Sequence, residues 1–84
     1  MAMVAQSYSF FRVIAKSDTV NEPPYGNKVL FDAIYVGGAG IVEVIREDGT
    51  AVLMTAVAGG YLYVRGKRVG SANTSATLMI ALYM

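Results

Sequence analysis

The chain has 84 residues, no cysteine and no histidine, and its seven basic and six acidic side chains leave a net charge of +1. The missing residue types weigh against a metalloenzyme, a histidine-based triad and a disulfide scaffold, and the balanced charge weighs against nucleic acid as a partner. With 55% hydrophobic and 15% charged residues, against roughly 45–50% and about 25% in average globular domains, one domain of this size must cover apolar surface with a membrane or with other subunits.

Residues 1–16 read as an arm running into a first strand. The opening "MAMVAQSYSFF" is uncharged and has neither a basic segment nor a cleavage site, so no signal peptide is expected. "SYSFFRVIAK" carries the aromatic and β-branched residues of a strand. "SDTVNEPPYGN", Ser17 to Asn27, is a loop, because Pro23-Pro24 removes backbone donors and fixes φ. The expected division is arm, first strand and loop over 1–27, and a β domain over 28–84.

From Val29 onward the pattern is β. Val29–Phe31 and Ala33–Val36 make a short strand, which Gly37-Gly38-Ala39-Gly40 interrupts. Ile41–Arg46 and Ala51–Ala56 follow, joined by a tight turn at Asp48-Gly49. Gly59-Gly60 turns the chain again, Tyr61–Val69 alternates, "GSANTS" is a loop, and Ala76–Tyr83 is the last strand. The expected fold class is all-β, a small antiparallel sandwich or barrel of about six to eight short strands with an extended N-terminal arm. No apolar run spans a membrane: Thr55 and Gly59-Gly60 break Ala51–Val64, and "GSANTSAT" breaks Val69–Met84. That leaves subunit contacts.

The glycines of "IYVGGAGIVEV" invite a phosphate-loop reading. Such a loop needs a helix after its glycines, with amides aimed at the anion. Here a strand follows, so a structural corner is expected, or a place where another backbone comes close.

Alternation puts Val42, Val44, Val52 and Met54 on one face of the hairpin, the expected core. Ile41, Glu43 and Ile45 share the other face with Ala51, Leu53 and Thr55. Scattered surface hydrophobes are one reading of Ile41, Ile45 and Leu53; an interface is the other, favoured because the excess recurs on both strands. Tyr61, Tyr63, Arg65 and Lys67 likewise stand opposite Leu62 and Val64, suited to a protein interface or to stacking on a sugar or base, with a solvated strand face as the plain alternative. Phe10 and Phe11 of the arm complete the expected oligomer interface. Of the carboxylates, Glu47 and Asp48 belong to a turn, Asp18 and Glu22 to the Pro loop, and Asp32 begins the run into the glycines. None forms an acid–base pair by position, so no catalytic residue, metal ligand or cofactor site is assigned.

From Ala33 to Tyr83 the chain resembles a family of small virion proteins of tailed phages, of the type called the spike base protein in gene transfer agents. The resemblance rests on "IYVGGAG" (Ile34–Gly40), the Asp48-Gly49 hairpin, "VAGG" (Val57–Gly60), "LYVRGKRV" (Leu62–Val69) and "TSATLMIALY" (Thr74–Tyr83). Ile41 stands where that family often has Asp, and Tyr63 where Pro is frequent. The resemblance implies a non-enzymatic capsid decoration or cement protein, or a head-spike base, on the capsid surface of a virion and made in the host cytoplasm. Its implied partners are the major capsid protein, other virion proteins and further copies of itself, with a trimer favoured and neither nucleic acid nor membrane involved. A module binding a host-surface glycan or receptor through Tyr61, Tyr63 and Arg65 is the alternative. A host-side secretion or pilus protein is a third reading, disfavoured by the missing signal peptide.

Overall fold

Among the described residues, alternating β-branched and aromatic residues, punctuated by glycine, fold into seven strands. The computed structural model describes Tyr8 and residues 10–84; the remainder of the expected arm, residues 1–7 and Ser9, lies outside the described residues. In chain order the strands are β1 (Phe10–Val13), β2 (Ala33–Gly38), β3 (Gly40–Ile45), β4 (Ala51–Ala56), β5 (Gly60–Leu62), β6 (Arg68–Val69) and β7 (Thr77–Tyr83). They form a larger antiparallel sheet ordered β1-β7-β2-β5 and a smaller one ordered β4-β3-β6. The all-β class is as expected. The core gathers Ile34, Val36, Met79, Ala81 and Tyr83 from the larger sheet and Val42, Val44 and Val69 from the smaller, with Phe31 fully buried among them. No helix among the described residues is long and apolar enough to cross a membrane.

The glycine-rich corner carries the chain from one sheet to the other. β2 continues through Gly38, only Ala39 intervenes, and β3 begins at Gly40 in the smaller sheet. Gly37 and Gly38 are therefore strand residues rather than turn residues. They are glycines because β7 passes close: a Cβ on Gly37 would lie 2.8 Å from the Leu78 Cβ, and one on Gly40 would lie 2.6 Å from the Ala76 nitrogen. No helix follows, so the amides have nowhere to converge on a phosphate.

The β3–β4 hairpin has the register its alternation dictates, from Ile41 opposite Thr55 to Ile45 opposite Ala51. Its turn differs in detail. Gly49 alone has a positive φ, +91°, while the Asp48 carboxylate accepts a 2.9 Å bond from the Thr50 amide. At the next turn Gly59 has the positive φ, and Gly60 already starts β5.

Two expectations about strands fail for one reason, the passage between sheets. Tyr61–Val69 is not continuous: β5 ends at Leu62, and β6 pairs with β3 in the other sheet. The crossing point is Gly66, whose carbonyl accepts from the Phe31 amide at 3.1 Å and where a Cβ would lie 2.8 Å from the Phe31 ring. Val29–Phe31 is accordingly a lead-in with one bridge, not the start of a strand. The Pro loop closes the end of the sandwich. Its Ser17 and Glu22 amides donate to the Val69 and Lys67 carbonyls at 2.9 and 2.8 Å, and the Tyr83 hydroxyl donates to the Pro23 carbonyl at 3.2 Å.

Candidate interaction surface

Residues directly opposite in an antiparallel sheet share a face. In the larger sheet this sorts the strands cleanly. Arg12, Ala81, Ile34 and Leu62 form one inward row, with the Arg12 guanidinium over the Phe10 ring. The outward rows are Phe11, Leu82 and Ala33, of which Leu82 and Ala33 are buried, then Val13, Ile80, Tyr35 and Tyr61. Leu78 follows opposite Gly37, at a φ of +54° that costs a branched side chain about 1–2 kcal/mol. Every one of these outward side chains is uncharged, and Phe11, Val13 and Leu78 are 67%, 72% and 75% exposed. Tyr61 meets Tyr35 edge-on at 5.3 Å and lies parallel to Tyr63 at 5.9 Å, extending the face with a row of phenols. Half-buried Tyr8 comes near this row; burial first, then the charge of Tyr63, Asp32 and Tyr61, pushes its phenol pKa up.

The expected interface residues divide among three places. Phe11, Tyr61 and Tyr63 lie on or beside this apolar face. Ile41 and Leu53 are exposed on the smaller sheet, beside Glu43 and Thr55. Ile45, expected to face outward by alternation, is only 6% exposed, since Gly66–Arg68 runs alongside and the Lys67 amide donates to its carbonyl at 2.9 Å. Phe10 turns inward, its ring stacked on Tyr25 at 4.2 Å and tilted against Tyr83, with the Arg12 guanidinium 4.9 Å above it. Val13, Tyr35, Leu78 and Ile80 lie on the same face without being among the residues expected there. Both parities of "TLMIALY" are apolar, which was the available signal that β7 has no solvated face.

Arg65 is held at the margin of the face by a carboxylate the sequence did not single out. Asp32 is buried at the start of β2; its Oδ1 accepts from the Arg65 Nε at 3.0 Å, and its Oδ2 accepts from the Met84 amide at 2.8 Å and pairs with the Lys28 ammonium at 3.1 Å. Burial alone would raise this carboxyl. The Met84 amide, Lys28 and Arg65 outweigh it and hold the pKa below the ordinary value. Glu22, a buried residue of the Pro loop, shows the reverse: burial pushes its pKa up, and the Ala15 amide and the charge of Arg12 only partly offset it. No cluster of acids among the described residues could hold a metal ion. The clefts beside Leu30 and the hairpin tip are open and lined by Arg46, Glu47, Asp48 and Arg65, a mixture of signs with no convergent chemistry.

The chain is similar to a solved capsid chain. That structure is the capsid of a native gene transfer agent particle, computed with C5 symmetry; the match has 26% identity and a TM-score of 0.79 and covers 95% of this chain and 90% of the other. No family model matches the sequence, and no curated protein does.

Proposed function

We propose that the chain is a non-enzymatic structural protein of a phage or gene-transfer-agent virion. The observation that carries this reading is the similarity to a capsid chain over 95% of the sequence. The sequence resemblance over Ala33–Tyr83 points the same way. Within the virion, the protein sits on the capsid surface as a decoration or cement protein or as a head-spike base. It binds the major capsid protein and its neighbours through the outward face of the larger sheet, with binding energy as its whole mechanism. The uncharged rows of that face support this, and so does Leu78, an exposed leucine kept in a strained conformation. Each contact needs only a patch of about 1,600 Å², since many copies on a lattice add by effective concentration.

The test is to add purified chain to particles that lack it and to measure its occupancy. Wild-type chain saturates the particles at a fixed ratio to the capsid protein, and Ile80→Lys, which puts a charge in the middle of the face, does not. Equal occupancy by both, or none by either, would overturn the reading.

The parallel, exposed Tyr61–Tyr63 pair beside Arg65 favours glycan or receptor recognition as a second reading. It predicts that these rings stay open on the assembled particle, where a Tyr63→Ala variant loses host binding but not attachment.

A further inference from the structure

The free edge of β4 points to a second copy of this chain. The phase of the β3–β4 ladder decides which groups lie there. The Arg46 amide donates to the Thr50 carbonyl at 2.8 Å, so bonded pairs recur at every second position: Val44 with Val52, Val42 with Met54, Gly40 with Ala56. The intervening residues of β3 turn their carbonyls the other way, as Ile41, Glu43 and Ile45 do toward the Ser75, Gly70 and Lys67 amides. Their partners Thr55, Leu53 and Ala51 must then present both N–H and C=O to the outer edge of β4. Among the described residues no strand pairs with that edge.

Natural edge strands are protected by charge, proline, a bulge or brevity. β4 is "AVLMTA", with none of the first two, in unbroken register with β3 along its whole length. The same three residues that offer free backbone groups also share one side-chain face. A twofold axis through Leu53 therefore satisfies both requirements at once. It sets Leu53 against Leu53 of the second copy and Ala51 against Thr55, with every pair a bonded one. On the inner face it sets half-buried Val52 against half-buried Met54. A register shifted by one residue would oppose an outward side chain to an inward one.

We infer that this chain self-associates through antiparallel β4–β4 pairing about Leu53, which joins two smaller sheets into one continuous sheet. The unit this edge favours is a twofold dimer rather than the cyclic trimer expected from the sequence. The inference does not rest on the virion reading, and it is tested without particles.

The chain has no cysteine, so single introduced thiols report the geometry. In the pairing, Leu53→Cys thiols face each other across a bonded pair about 5.5 Å apart at Cα, within disulfide reach. Val57→Cys thiols, on another exposed residue, are separated by about 27 Å along the strands. The expected result is rapid oxidation of Leu53→Cys to a covalent dimer and none for Val57→Cys. Wild-type chain should show twice the 9.0 kDa mass by sedimentation, and Leu53→Pro, which removes an N–H outside the β3–β4 ladder, should show the single-chain mass with an unchanged circular dichroism spectrum. A wild type still monomeric at about 100 µM, an oligomer whose mass folded Leu53→Pro leaves intact, or equal cross-linking at both thiols would overturn the proposal. Should Leu53→Pro fail to fold, the two thiol variants decide alone.

Discussion

On the larger sheet the outward positions run Phe11, Val13, Ile80, Tyr35 and Tyr61 without a charge; on the smaller sheet Ile41 and Leu53 share theirs with Glu43 and Thr55. The larger sheet is better protected at the level of the backbone, because its long inner strands β7 and β2 are paired on both sides. The smaller sheet has the more polar face but leaves all of β4 at an edge. One sheet is thus suited to burying side chains against a surface, the other to continuing a hydrogen-bond ladder. A small domain that needs two kinds of contact can keep them apart by assigning one to each sheet.

The comparison breaks altogether if the corner joining the sheets fails. Gly40→Val forces a branched side chain against the Ala76 backbone and costs roughly 3 kcal/mol, a large share of the ~4–12 kcal/mol expected for a domain of this size. Urea unfolding should show the midpoint falling accordingly. Next in size is Asp32→Ala, which removes the acceptor shared by Lys28, Arg65 and the Met84 amide. The loss is about 1–3 kcal/mol, held to the lower end because both cations reach solvent.

The two buried carboxylates give opposite pH dependence. Asp32 has a lowered folded pKa, so its contribution is complete above the unfolded value of about 3.9 and disappears as pH falls through the folded value. Glu22 has a raised one, so its contribution is complete below about 4.3 and is lost as pH rises through the folded value. Thermal unfolding from pH 2 to 7 should show Asp32→Asn flattening the acid limb. Glu22→Gln keeps an acceptor for the Ala15 amide and should gain up to about 1 kcal/mol at pH 7 and nothing at pH 3. The smallest effects on stability sharpen the contrast of faces: Val13→Lys and Ile41→Lys should each change it by less than about 1 kcal/mol. On particles only Val13→Lys should lose attachment.

Local signals made part of this legible. The hairpin register follows from Asp48-Gly49 and strict alternation, both short-range. The corner was readable as a corner, but that it changes sheets depends on β7 lying beside β2, some forty residues on in sequence. Ile45 breaks alternation only because Gly66–Arg68 returns beside it. The Asp32 cluster joins residues from Lys28 to Met84, and no window holds both. The apolar face was half seen: Phe11, Tyr61 and Tyr63 stood out as aromatics, whereas Val13, Tyr35 and Ile80 become one row only once the larger sheet is assembled.

The place of β7 between β1 and β2 also governs when the fold can form. Of the seven described strands, the last in chain order is the one that β1 and β2 must both pair with. Until Tyr83 has cleared the ribosome, β1 has no neighbour and β2 is paired on one side only, so the larger sheet cannot close before β7 is out. Each copy passes through an interval in which "FFRV" and "AIYV" both lack their β7 partner, and the slower that closure, the longer apolar strand edges stand open to aggregation.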